Sequence, residues 1–166
     1  EANWHLTHGE LRQAQGDLRQ AALSFEHAAN NLARVGNARR AADVGGRILT
    51  GYFRSDRLRV DVKAKNDFVT QADRESEAAV VAEILSRHPD HRILAEEGTV
   101  HDAATSTCEW VIDPLDGTTN FLHGLPLCGI SLGLLHQGRP VLGIIDLPFL
   151  QARYQAVEGG GAYAGN

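Results

Sequence analysis

Apolar residues recur at helical spacing through the first part of the chain and give way to strand-like alternation in the last part. Over residues 1 to 36, Leu11, Leu18, Ala21, Ala22, Phe25, Ala28, Ala29 and Leu32 fall three, four or seven apart, which places side chains on one face of a helix. Gly16 interrupts this run and predicts two helices packed as a hairpin. A further helix is expected from Ala38 to Phe53, with Ala41, Ala42, Ile48 and Leu49 as its apolar stripe and Gly45-Gly46 as a weak point. Leu58 to Val62 alternates as a strand does, and Lys63 to Asp67 is polar and loop-like. Between Asp73 and Arg87, Ala78, Val81, Ala82 and Leu85 mark another helical face, closed by Pro89. Short β-prone runs follow at Arg92 to Ala95 and Glu109 to Ile112. Two strands, Leu127 to His136 and Val141 to Leu147, flank the turn from His136 to Pro140. A third runs from Leu150 to Val157 and stops at Glu158-Gly159-Gly160-Gly161, a hairpin turn. Helices first and a meandering sheet afterwards predict an α+β domain of packed helix and sheet layers.

The chain has 166 residues, 43% hydrophobic and 22% charged; this is the profile of a folded domain, not of disorder. The formal net charge of -5 provides no global attraction for nucleic acid or an anionic membrane. No apolar run approaches the roughly 20 residues of a membrane span, and the N-terminus lacks the pattern of a signal peptide. The expectation is a cytoplasmic protein without nucleic-acid or membrane partners. Cys108 and Cys128 form no C-x-x-C pair and sit beside apolar segments, so both are read as buried free thiols.

Acidic residues collect where strands end. Asp73, the pair Glu96-Glu97, Asp113 and Asp116 all lie at strand ends or in adjoining loops. Pro114 cannot donate a ladder hydrogen bond and is expected to end its strand at Asp113. A turn through Pro114, Leu115 and Asp116, with Gly117 free of side-chain restriction, brings the second carboxylate back beside the first. Such a cluster either takes up protons or holds a cation. All-oxygen donors favour Mg²⁺, Mn²⁺ or Ca²⁺ over zinc. Thr118, Thr119 and Asn120 are candidates to cap a helix whose backbone N–H groups face the same place. His123 is read as an exposed or capping histidine, His88 and His91 as loop residues, and His5 with His8 as lacking a third ligand.

The string W-V-I-D-P-L-D-G-T-T-N-F-L-H-G-L-P, Trp110 to Pro126, resembles the first metal signature of the inositol monophosphatase family. K-N-D-F-V-T-Q-A-D, ending at Asp73, I-L-A-E-E-G around Glu96 and E-G-G-G-A-Y from Glu158 fit the same family in order and spacing. The resemblance runs from about residue 38 to the end. It implies a layered helix and sheet sandwich of the sugar-phosphatase type, in truncated form. Residues 1 to 36 more weakly resemble a single tetratricopeptide-type hairpin, a repeat remnant or fusion segment ahead of the metal-binding domain at 37 to 166.

Carried onto this chain, the family pattern implies that Glu96, Asp113 and Asp116 bind two or three Mg²⁺ ions, with the Leu115 carbonyl as a further ligand. Asp73 and Thr118 would activate water. Leu115, Asp116, Gly117, Thr118 and Thr119 would surround the phosphate, with backbone N–H groups at Gly117 and Thr118 holding it, and Glu97 would stand behind the ligands. The implied reaction is in-line attack by metal-activated water on a small phosphate monoester, inositol 1-phosphate first, without a phosphoenzyme. Fructose bisphosphate, nucleotide bisphosphates and histidinol phosphate are the other esters the family suggests. The family pattern also includes a later Trp-Asp pair that supplies another aspartate to the second metal, and no such pair occurs among these residues. The alternative is therefore a catalytically impaired fragment whose helical segment serves as an interaction module. Truncation further predicts an exposed apolar face and a homodimer.

Overall fold

The computed structural model describes residues 8–56, 58–64 and 67–165, with the backbone alone described at 8–18, 21–31, 62–64 and 67–68. The chain forms two compact units, Glu1–Arg34 and Val35–Asn166. One helix, α1, spans His8–Tyr52 without a break. It replaces both the hairpin expected over residues 1 to 36 and the separate helix expected from Ala38. A glycine inside a helix costs about 1 kcal/mol relative to alanine, and no proline occurs before Pro89. Gly16 and Gly36 therefore weaken the helix without ending it. His5 lies outside the described residues, as does the side-chain packing expected of Leu11 to Ala29.

The second unit takes in the end of α1, from Val35 to Tyr52, and continues with a hairpin of β1 (Val60–Ala64) and β2 (Asp67–Thr70). The loop expected from Lys63 to Asp67 is thus shorter than predicted, since both ends belong to strands. Helix α2 (Gln71–Leu85) follows directly. A seven-stranded sheet then forms in the order β4 (Val100–His101), β3 (Arg92–Ala95), β5 (Cys108–Asp116), β6 (Gly129–His136), β7 (Arg139–Leu147), β8 (Ala152–Val157) and β9 (Gly161–Ala164). Only β3 and β5 run parallel; every other neighbouring pair in this sheet is antiparallel. The β6–β7 turn is two residues, Gln137 and Gly138, at φ of 50° and 76°, the doubly positive geometry that matches strand twist. The glycine run after Glu158 is likewise a hairpin turn, between β8 and β9. Strand β4, two residues long, is shorter than the alternation signal can register.

One face of the sheet carries the core. Trp110, Ile112, Ile130, Leu132, Leu134 and Ile144 are buried there with Ala38, Ala41, Ala42 and Leu49 of α1 and Val80 and Ile84 of α2. Small residues on α1 allow close approach. A Cβ on Gly45 would stand 2.7 Å from Ile130 Cδ1, 2.8 Å from Ser76 Oγ and 2.8 Å from Val80 Cγ2. Gly45, one of the pair that weakens α1 as a sequence, is thus what lets it pass close to α2 and β6.

The other face is open. Leu94, Val111, Ile145 and Tyr154 are between 40% and 50% exposed and line an apolar trough of about 1030 Å³ that also reaches Glu96 and Asp113. This is the uncovered apolar face expected from the sequence. Cys108 and Cys128 are both buried free thiols, and no described helix is long and apolar enough to cross a membrane.

Candidate metal and phosphate site

The parallel pairing of β3 with β5 creates the first acidic contact. Ala95 is opposite Ile112, and the Glu96 N–H donates to the Ile112 carbonyl at 3.0 Å. Glu96 and Asp113 therefore emerge side by side at the carboxyl ends of parallel strands, where ligands bind in open sheets. Along each strand alternate residues face opposite ways. With Ile93, Ala95, Trp110 and Ile112 turned to the core, Leu94, Glu96, Val111 and Asp113 share the open face.

Strand β5 does not stop at Pro114. It continues to Asp116, with the register against β6 shifting between Asp113 and Asp116. The expected strand end is thus a bulge: proline is tolerated where the ladder is already interrupted. The bulge is held from three directions. The Leu115 N–H donates to Asp113 Oδ1 at 3.0 Å, Ser76 Oγ on α2 donates to the Pro114 carbonyl at 3.2 Å, and Leu115 itself is buried. Asp116 projects outward and is exposed.

Gly117 turns the chain at φ 87°, and a Cβ there would lie 3.0 Å from the Leu127 carbonyl oxygen. It is the N-cap of α3 (Thr118–Leu122), which has no side-chain cap. The capping roles expected of Thr118, Thr119 and Asn120 are not taken up. The Asn120 amide donates to the Leu127 carbonyl at 2.7 Å, Thr119 is exposed, and Thr118 Oγ1 lies 3.1 Å from Asp73 Oδ1 and 3.1 Å from the Leu115 carbonyl. A hydroxyl has one proton, so it serves one of these acceptors at a time. His123 is the exposed residue that closes α3.

Asp73 reaches Thr118 from the first turn of α2. Thr70 and Asp73 form a capping box: the Thr70 N–H donates to Asp73 Oδ2 at 2.9 Å, and the Thr70 hydroxyl donates to the same oxygen. The T-x-x-D spacing is a signal that sequence reading can find. Burial raises the Asp73 pKa above the usual carboxylate value, and the hydrogen bonds from Thr70 and Thr118 partly offset it. Asp113 is pushed up to about 7, first by burial, then by the hydrogen bond and charge of Glu96, with Asp116 adding to it. Cys128 is pushed up to about 11 by burial and by Asp116, which keeps it a thiol at neutral pH.

Of the predicted ligands, the structure therefore joins Glu96 and Asp113 directly and leaves Asp116 as an electrostatic neighbour. Among the described residues no three His, Cys, Asp or Glu side chains close on one point. The donors present suit a hard cation: two neighbouring carboxylates that repel, and on the same bulge the Leu115 carbonyl, 3.1 Å from Thr118 Oγ1. Glu97 has its N–H held by Glu77 Oε2 at 2.6 Å. Sequence reading missed Ser76 and Glu77, although both share the helical face of Asp73 at the i+3 and i+4 positions. It also missed the His91 contact, in which Trp110 Nε1 donates to His91 Nδ1 at 3.0 Å while His88 stacks on His91 at 4.4 Å.

The model of the inositol monophosphatase family matches residues 31–166. The chain is 41% identical over 124 residues to the Nus factor SuhB of Pasteurella multocida, covering 75% of this chain and 46% of that protein. It is also 41% identical over 124 residues to the inositol-1-monophosphatase of Mesorhizobium japonicum, covering 74% of this chain and 47% of that one. Among solved structures, the extragenic suppressor protein suhB of Bartonella henselae superposes with a TM-score of 0.77 at 35% identity, over 80% of this chain and 52% of that one. The chain spans about half the length of the relatives it matches. With its bulged acidic strand, its glycine turn and its α+β layers, the chain belongs to the inositol monophosphatase family.

Proposed function

We propose that this chain carries the metal and phosphate half of a Mg²⁺-dependent phosphomonoesterase, with inositol 1-phosphate as the first substrate to test. The observation that carries the reading is the contact between Thr118 Oγ1 and Asp73 Oδ1, formed where the bulge bearing Asp113 and Asp116 runs into α3. Glu96 and Asp113, with Asp116 and the Leu115 carbonyl, are the groups that would hold two or three Mg²⁺ ions. When bound, the metal supplies positive charge against which a phosphate and an attacking water are oriented and polarised.

The chain's own residues do the rest. Asp73 is buried and fixed by Thr70, so its free lone pairs point one way and accept the proton that Thr118 relays from water. Gly117 allows the backbone to approach a phosphate closely, and the N–H groups of Gly117 and Thr118 are its candidate donors, with Thr119 at the edge. Glu97 lies behind the ligand positions.

Equal identity to a protein named Nus factor SuhB and to one named inositol-1-monophosphatase favours a second reading, in which the same fold serves as an interaction module without turnover. One assay separates the two: phosphate release from inositol 1-phosphate as Mg²⁺ is titrated, with Asp113→Asn in parallel. Release by the wild type that rises with Mg²⁺ and drops at least 100-fold in the variant supports the enzyme. No release above the blank from either protein removes it. The same assay with fructose bisphosphate, a nucleotide bisphosphate and histidinol phosphate ranks the esters.

A further inference from the structure

We propose that Glu77 is a positioning residue, setting the Glu96 carboxylate against Asp113 by clamping the backbone of the loop that carries it. Glu77 sits in α2 and is 3% exposed. Both of its oxygens are committed to that loop. Oε2 accepts the Glu97 N–H at 2.6 Å and Oε1 accepts the Thr99 N–H at 3.0 Å. The two remaining donors are also fixed, because the Glu96 N–H goes to Ile112 at 3.0 Å and the Gly98 N–H to Ala95 at 3.3 Å. Every N–H from Glu96 to Thr99 thus has an acceptor, and half of them depend on one side chain. Gly98 completes the turn at φ 105°.

A buried carboxylate is an expensive way to hold a loop, since burying charge costs several kcal/mol unless it is compensated. Its placement gives the expense a use. Asp73, Ser76 and Glu77 lie on one face of α2, and each grips a different part of the rim: Asp73 the start of α3, Ser76 the Pro114 carbonyl, and Glu77 the Glu96 loop. One rigid helix therefore fixes the separation of Glu96 and Asp113, which adjacent strands alone would leave to the freedom of a four-residue turn. Glu77 touches neither substrate nor metal; it acts through the backbone.

The inference rests on the metal reading of Glu96 and Asp113, so the experiment has one readout that needs no metal. Amide exchange at Glu97 and Thr99 is followed by NMR in wild type, Glu77→Gln and Val81→Ala, and Mn²⁺ binding is measured on the same samples by calorimetry. Gln can present only one acceptor oxygen and turns an NH₂ toward the other amide. Val81→Ala, one turn along α2, loses stability without touching the loop. The expected result is exchange at least tenfold faster at both amides and Mn²⁺ affinity lower by about 10- to 100-fold in Glu77→Gln, with neither changed in Val81→Ala. If Glu77→Gln does not fold, Glu77→Asp, one methylene too short, takes its place. Unchanged exchange, or unchanged Mn²⁺ affinity once protection is lost, overturns the proposal. A wild type that takes up no Mn²⁺ overturns the metal reading instead, while the exchange rates still decide whether Glu77 holds the loop.

Discussion

Replacing Asp113 with Asn should stabilise the metal-free protein at alkaline pH and do nothing for it in acid. With its carboxyl at about 7 against roughly 3.9 in an unfolded chain, Asp113 binds a proton more tightly in the folded state. Its contribution to stability is therefore full below about pH 4 and is lost as pH rises through about 7. A shift of about 3 units is worth at most about 4 kcal/mol at 1.36 kcal/mol per unit. Partial solvent access screens that figure, so about 1–2 kcal/mol is the realistic gain. Asn resembles the protonated acid: its oxygen can still accept from the Leu115 N–H and its NH₂ can donate to Glu96. Urea denaturation with EDTA at pH 3.5 and pH 8 measures the difference. The variant should match wild type at the lower pH and exceed it by about 1–2 kcal/mol at the higher. Adding Mg²⁺ should reverse the order, because only wild type gains binding energy. If Asp113→Asn is equally destabilised at both pH values in EDTA, the account of two carboxylates crowded at the rim is wrong.

Other expectations follow from single contacts. Gly45→Ala should cost about 1–3 kcal/mol by overpacking against Ile130, Ser76 and Val80, whereas Gly51→Ala, with no atom within 4 Å of the added methyl, should gain about 0.5–1 kcal/mol; chemical denaturation that gives the two the same sign counts against the tight crossing. Thr118→Val should lower phosphate release by about 10²–10⁴-fold with little change in Mn²⁺ affinity by calorimetry, and equal loss of both would reassign Thr118 to metal binding. The open face should bind an apolar dye, and Val111→Thr with Ile145→Thr should remove most of the fluorescence; a signal unaffected by the pair places the dye elsewhere.

Much of this architecture was legible because local chemistry and global fold agree. The strands from Gly129 to Val157 alternate plainly, and the acids at 96, 97, 113 and 116 stand out at strand ends. What was not legible depended on partners distant in sequence. Nothing around Glu96 announces that β3 lies parallel to β5, yet that pairing puts Glu96 beside Asp113. Pro114 reads as a strand end by its missing N–H, but the bulge accommodates it because Ser76, 38 residues away, holds its carbonyl. Gly16 reads as a helix break and the Gly45-Gly46 pair as a weak point, although about 1 kcal/mol per glycine is too little to interrupt a long helix, and at Gly45 packing decides the matter. Thr118 reads as a cap but is drawn to Asp73, a competition that local sequence does not display.

The shared orientation of Glu96, Asp113, Leu94 and Val111 links two equilibria. Any layer that settles on the apolar trough also strips water from the two carboxylates at its end, which raises the cost of their mutual repulsion. Covering the sheet and neutralising the acids are therefore coupled: a cation that binds the pair favours the cover, and the cover tightens the cation by the same factor.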